Sequence, residues 1–368
     1  MAIEVRSTSS TVTQVPKQMC AAVLERPFQV SIKELPVPEL GSHEVLVKVM
    51  AVGVCGSDVH YYEHGRIGDF VVKKPIILGH ECAGIVVDVG RQVSRVKVGD
   101  RVAIEPGVTC GRCDACKSGR YNLCPEVQFL ATPPYDGAFV EYLKHREDFV
   151  FPIPDSLSFE EAALVEPLSV GIHACKRAGV QPGSRVAVMG MGPVGLLTVV
   201  AAKAFGASEV YVTDLQPIRL EAAKHLGASV AVNVQERDPV EVIREMTDGA
   251  GVDVAVETAG NPRALQSALM SLKRGGRLGI VGLPAQDEIG MNVPFISSFE
   301  VDIFGVFRYA NTYSQGIKFL ASGNYDVRSL ITDQYPLEKA KDALERARTN
   351  KSGSLKVMVY PNGLPANN

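Results

Sequence analysis

The chain has no excess of positive charge, no long apolar run and few cysteines, and each lack removes a class of function. Across 368 residues the formal net charge is -3, so there is no broad basic surface to hold a polyanion such as a nucleic acid. The longest uncharged apolar stretch, 186–202, is interrupted by Gly190, Gly192, Pro193 and Gly195. A bilayer-spanning helix needs about 20 apolar residues, so this stretch reads as a buried strand, a turn and a helix, with no membrane partner. The first residues, Met1 to about Pro16, are polar with scattered Ser and Thr. Without an apolar core they are not expected to form a secretory signal, and a reducing, cytoplasmic setting is expected. Internal repeats and low-complexity segments are absent. Length and composition then fit a globular protein of about two domains.

Four of the eight cysteines, Cys110, Cys113, Cys116 and Cys124, form a Cys-x2-Cys-x2-Cys-x7-Cys run. That spacing puts four thiolates within reach of one tetrahedral zinc, and a site closed by four sulfurs fixes a loop without binding substrate. Arg112, Lys117 and Arg120 lie around it, as a nucleic-acid-reading zinc ribbon would require, but the overall charge argues against that use. Cys20, Cys82 and Cys175 have no motif around them and read as small buried fillers.

From about Lys17 to Leu143 the chain is rich in short strand signals: Glu44–Val49, Ile85–Val89, Arg101–Ile104, and a run from Gly137 to Tyr142. This half reads as a barrel-like β domain. Beyond Pro182-Gly183 strands and helices alternate, with strands at Arg185–Gly190, Glu209–Thr213, Val230–Val234, Val252–Glu257 and Arg277–Val281. Helices start at Pro193, Pro217, Pro239 and Pro262. Such alternation specifies an α/β, doubly wound parallel sheet covered by helices on both faces.

The turn after the first of these strands is Gly190-Met191-Gly192-Pro193-Val194-Gly195. A Gly-x-Gly-x-x-Gly is weak alone, but here it closes a branched strand, opens a helix and is followed nineteen residues after Gly195 by Asp214. In that context it is a dinucleotide cradle: Gly190 for the tight turn, Gly192 for approach of the pyrophosphate, Gly195 for helix packing. The Asp214 carboxylate accepts ribose hydroxyls and repels a 2'-phosphate. At about 4 Å and an effective dielectric near 20 that repulsion is about 4 kcal/mol, roughly a thousandfold in favour of NAD. Arg219, five residues on, is placed over the adenine or in solvent rather than on a phosphate.

A second metal site can be assembled from Cys55, His80, Glu81 and Glu166. One cysteine, one histidine and a carboxylate with a remaining open position make a catalytic zinc. Spread over more than a hundred positions, these residues form no local motif.

Together, Cys55-Gly56-Ser57-Asp58-Val59-His60, Gly79-His80-Glu81, the four cysteines, Glu166-Pro167 and Gly190 to Gly195 resemble, in this order, the zinc-containing medium-chain dehydrogenases. Tyr61-Tyr62-Glu63-His64-Gly65-Arg66-Ile67-Gly68, Glu166 where alcohol dehydrogenases carry a second cysteine, and Phe307-Arg308-Tyr309 narrow the resemblance to the polyol branch, the sorbitol and xylitol dehydrogenases. It runs from Met19 to Tyr360. It implies a GroES-like catalytic domain (1–168, with the structural zinc loop at 105–125), a Rossmann domain (169–307) and a return to the first domain (308–368).

It further implies a polyol oxidised to a ketose with hydride passed to NAD, one catalytic and one structural zinc per subunit, and a homotetramer. Threonine or a simple secondary alcohol is the alternative substrate, and a non-catalytic NAD- and zinc-binding protein a more distant one. Cys55 and His80 become zinc ligands, with Glu81 and Glu166 unranked as direct ligand and water-bridged partner. Ser57 becomes the first proton acceptor, relaying through the cofactor ribose to His60. Tyr61, Arg308 and Tyr309 become polyol contacts, and backbone groups at Val281, Leu283 and Phe307 face the nicotinamide.

Overall fold

The computed structural model describes residues 15–284, 286–349 and 352–365. The polar opening stretch therefore lies almost wholly outside the described residues. In the first half, a seven-stranded sheet runs in the order Val150–Pro152, Arg101–Ile104, Glu81–Val89, Glu44–Gly53, Lys356–Tyr360, Ile331–Pro336, with Tyr142–Arg146 also paired to Glu44–Gly53. Glu44–Gly53 is central and covered on both faces. Its apolar residues are accordingly near-continuous, Val45, Leu46, Val47, Val49, Ala51 and Val52 all being buried. The chain returns to this sheet at its far end: Lys356–Tyr360 lies antiparallel to Glu44–Gly53, with Met358 opposite Gly53.

The second half is a six-stranded sheet, all parallel, in the order Val230–Asn233, Glu209–Asp214, Arg185–Met189, Val252–Glu257, Leu272–Ile280, Asp302–Gly305. In chain order this is 3-2-1-4-5-6, the doubly wound arrangement whose strand order reverses beside Arg185–Met189 and so opens a crevice at its carboxyl end. The helix Pro193–Ala204 begins at that crevice, with Pro at its first position. The helix Val165–Ala178 links the halves, and one apolar cluster joins its Leu168 and Ile172 to Ala51 and Ala83 of the first half and Val186 and Val188 of the second.

The strand expected from Gly137 to Tyr142 starts instead at Tyr142 and continues to Arg146. A Cβ on Gly137 would stand 2.3 Å from the Gly79 carbonyl. Here the chain presses onto the 77–79 segment, Gly137 donating to Ile77 and Ala138 to Gly79, and that approach replaces a regular ladder.

Candidate active site and nucleotide cleft

Cys55 stands at the N-cap of the helix Gly56–His64, and His80-Glu81 lead into the strand Glu81–Val89. Asp58, fully buried, ties the two loops together by accepting from the Cys55 and Gly79 amides, both at 2.9 Å. As a result one donor atom from each of Cys55, His80 and Glu81 falls within 4.8 Å of the others. Burial pulls the His80 pKa down, but Asp58 and Cys55 more than offset it and hold the ring well above its ordinary value. Sulfur, imidazole and carboxylate at that separation fit a zinc with an open position.

Glu81 has a further partner that sequence reasoning missed. Lys356, 2 % exposed, donates to Glu81 Oε2 and to the Val54 carbonyl at 3.0 Å. The neighbouring Gly53 leaves room for this pair, since a Cβ there would sit 2.1 Å from Glu81 Oε2. Glu166 lies outside the three-residue set. It occupies the first turn of Val165–Ala178 and accepts from the Tyr309 hydroxyl at 2.6 Å, and burial pushes its carboxyl up to about 7.

Tyr61 and Tyr309 are buried, whereas Arg308 is half-buried. The Arg308 guanidinium lies 4.1 Å from the ring centre of Phe129 and 4.8 Å from that of Phe307, and its buried Nη1 has no hydrogen-bond partner. An orphaned buried donor of this kind awaits an acceptor.

One cleft of about 1420 Å³ is lined by Cys55, His60, Gly190, Gly192, Asp214 and Arg219 among others. That exceeds the roughly 300–1,000 Å³ of an ordinary small-ligand pocket, as a dinucleotide requires. Gly190 has φ +93°, a Cβ on Gly195 would lie 1.8 Å from the Gly190 carbonyl, and around Gly192 there is open space. The three glycines thus carry the turn, packing and approach that the motif demands. Asp214 accepts from the Met191 and Gln216 amides at 2.7 and 2.9 Å, leaving further lone pairs for a ribose. Arg219 is neither in solvent nor bonded through Nε; its Nη1 is 3.8 Å from Asp214. Val281 donates to the Glu257 carbonyl, Leu283 is exposed, and the Phe307 carbonyl accepts from Asn122.

The second thiol cluster gathers Cys110, Cys113, Cys116 and Cys124 within the same 4.8 Å limit. Backbone amides point at its sulfurs, Cys113 at Cys110 and Cys110 at Cys124. Donation from Arg112 and Cys113 lowers the Cys110 pKa to about 7. Donation to sulfur favours the thiolate, the form that binds zinc, at Cys110.

Residues 41–155 match the Alcohol dehydrogenase GroES-like domain and residues 193–322 the Zinc-binding dehydrogenase domain. Sorbitol dehydrogenase of Bacillus subtilis is 65% identical over 348 residues, 95% of this chain and 99% of that protein. The chain belongs to the zinc-containing medium-chain dehydrogenases. Within this family the mouse sorbitol dehydrogenase is 48% identical over 92% of the chain and 94% of its own length. An Escherichia coli oxidoreductase/dehydrogenase of unknown specificity superposes with a TM-score of 0.89 at 41% identity, covering 93% of this chain and 99% of that one. The chain is an oxidoreductase of the polyol branch, with zinc and NAD as its cofactors. No helix among the described residues is long and apolar enough to cross a membrane.

Proposed function

We propose that this dehydrogenase oxidises a secondary alcohol of a sugar alcohol such as sorbitol or xylitol to the ketose, with Cys55, His80 and Glu81 as zinc ligands and Glu166 as an outer carboxylate. The observation that carries the reading is that Cys55 and His60 line the same cleft as Gly192 and Asp214. A zinc ion at Cys55, His80 and Glu81 supplies Lewis acidity that makes an alcohol hydroxyl easier to deprotonate. NAD in the glycine cradle supplies the hydride acceptor.

The chain's own groups do the rest. Ser57 and His60 are three apart on one helix and so share a face; Ser57 Oγ takes the hydroxyl proton and His60, exposed, releases it to water. Arg308 Nη1 and the Tyr61 and Tyr309 hydroxyls hold the remaining hydroxyls. Glu166, kept at 2.6 Å by Tyr309, sits where a buried carboxylate can orient a water. Backbone groups of Val281, Leu283 and Phe307 hold the nicotinamide, and Val194 and Arg219 flank the rest of the dinucleotide. In the same reading residues 1–168 and 308–368 form the catalytic domain around a Rossmann domain at 169–307, although Val165–Ala178 runs through the first boundary as one helix. The protein is cytoplasmic and tetrameric.

Absorbance of reduced nicotinamide should grow with sorbitol and NAD, with sorbitol exceeding threonine and ethanol in kcat/KM, and Cys55→Ala should abolish it. Full turnover by Cys55→Ala overturns the ligand assignment.

A further inference from the structure

The segment 306–311 has no regular secondary structure, yet it carries Arg308 and Tyr309. Arg308 and Asn311 have φ of 52° and 56°, left-handed values that a non-glycine residue keeps only where its surroundings enforce them. The Arg308 Nη1 has no hydrogen-bond partner, so beyond the rings of Phe129 and Phe307 against its guanidinium the segment is held by bonds to the backbone around it. Much of that hold comes from the four-cysteine loop, alongside the donation of Lys176 Nζ to the Asn311 carbonyl at 3.2 Å. Asn122 Nδ2 donates to the Phe307 carbonyl, the Asn311 amide donates to the Tyr121 hydroxyl, and Asn311 Nδ2 donates to the Gly119 carbonyl, each at 2.8 Å.

Tyr121 and Asn122 share a short helical turn between Cys116 and Cys124. The Tyr121 hydroxyl is aimed by its own donation to Glu105 at 2.7 Å. The stem of the loop takes part as well. Gly107–Val108 before it pairs with Gln128–Phe129 after it, and the Phe129 ring lies against the Arg308 guanidinium.

We propose that the four-cysteine loop positions the substrate wall: Tyr121 and Asn122 are positioning residues that hold Arg308 and Tyr309 for a polyol, so the loop sets substrate affinity and not only stability. This rests on the polyol reading above. A metal on the four sulfurs fixes the turn from which both side chains reach, and the closed thiolate set acquires a route to specificity without touching substrate.

The test uses the zinc-loaded enzyme and its Tyr121→Phe and Asn122→Leu variants, with sorbitol and NAD kinetics, zinc content, and amide hydrogen exchange across 305–312. Loss of one hydrogen bond should raise the sorbitol KM about fivefold in each variant, with kcat within about twofold. In Tyr121→Phe the Asn311 amide should exchange about tenfold faster, with zinc content unchanged. Unaltered KM and unaltered exchange alongside a lower Tm would overturn the proposal, leaving the loop a stabiliser. If loss of the Glu105 partner prevents Tyr121→Phe from folding, Asn311→Gly decides in its place, since it tolerates the positive φ and deletes only the bond to Gly119. Should the wild type turn over no polyol, the functional reading fails, and the exchange measurement alone decides whether the latch exists.

Discussion

Replacing Lys356 by Met deletes a buried ammonium and keeps its aliphatic stem. Both Lys356 and Glu81 side chains are 2 % exposed, so the carboxylate left behind has no solvent to turn to. Breaking a buried pair from one side costs about 3–5 kcal/mol. The Val54 carbonyl also loses its donor at 3.0 Å, adding about 1 kcal/mol. The metal-stripped Lys356→Met protein should therefore lose about 4–6 kcal/mol, a large part of a domain's usual 5–15. With zinc bound the loss should shrink, because a divalent ion then neutralises the same carboxylate. Denaturant unfolding of wild type and Lys356→Met, each zinc-loaded and chelated, measures both numbers, and zinc at the four-cysteine loop cancels in the comparison. The Lys356→Met, Glu81→Gln double variant leaves no charge behind and should recover most of the loss. Equal losses with and without zinc would refute the view that lysine and metal serve one carboxylate.

In Asp214→Asn the repulsion of a 2'-phosphate disappears, so preference for NAD over NADP should fall by up to about a thousandfold; an unchanged ratio of kcat/KM values would remove Asp214 from cofactor choice. Gly53→Ala would place a methyl 2.1 Å from Glu81 Oε2 and 2.8 Å from the Lys356 stem, and elemental analysis should find less than one full equivalent of zinc lost from the Cys55 site while the four-cysteine site stays filled. His145 is buried, with Nε2 2.8 Å from the Glu105 carbonyl, and burial pushes its pKa down to about 4 from an ordinary 6.5. The unfolded chain therefore binds more protons between those values, and stability present above about pH 6.5 is lost as pH falls toward 4. Glu105, pushed up to about 7 by burial, acts in the opposite sense, its contribution declining as pH rises through that range. Only the difference between wild type and His145→Gln isolates the histidine, and it should grow in wild type's favour from pH 5 to pH 7 in denaturant titrations.

Most of the sheet of the nucleotide half was legible because four of its strands are branched apolar runs and the helices after them open at a proline; Val252–Glu257 and the helix start at Pro193 stand where periodicity put them. Leu272–Ile280, by contrast, begins five residues earlier than expected, through the polar Lys273 and Arg274, and the short, largely exposed Asp302–Gly305 was not expected. Cys55, His80 and Glu81 were nameable, but nothing in a linear string brings them together; Asp58 does so through two backbone amides. Glu81 and Glu166 could not be ranked because the distinction lies in which one Tyr309 occupies and which one falls beside sulfur and imidazole. Lys356 was invisible, since an isolated lysine reads as solvated surface until the fold removes its water. Tyr121 and Asn122 were hidden for the same reason, their partners lying 190 and 185 positions away.

Glu81 and Lys356 are 275 positions apart, a separation with a cost during biosynthesis. At about 5–20 residues per second, the ribosome needs roughly a quarter of a minute to a minute to travel from one to the other. Over that interval the acidic side chain exists without its counter-charge, and the Val52-Gly53 end of the central strand lacks the neighbour that will later hydrogen-bond to it. A newborn chain must keep an unneutralised carboxylate and a bare sheet margin apart from other nascent proteins until its last strand arrives.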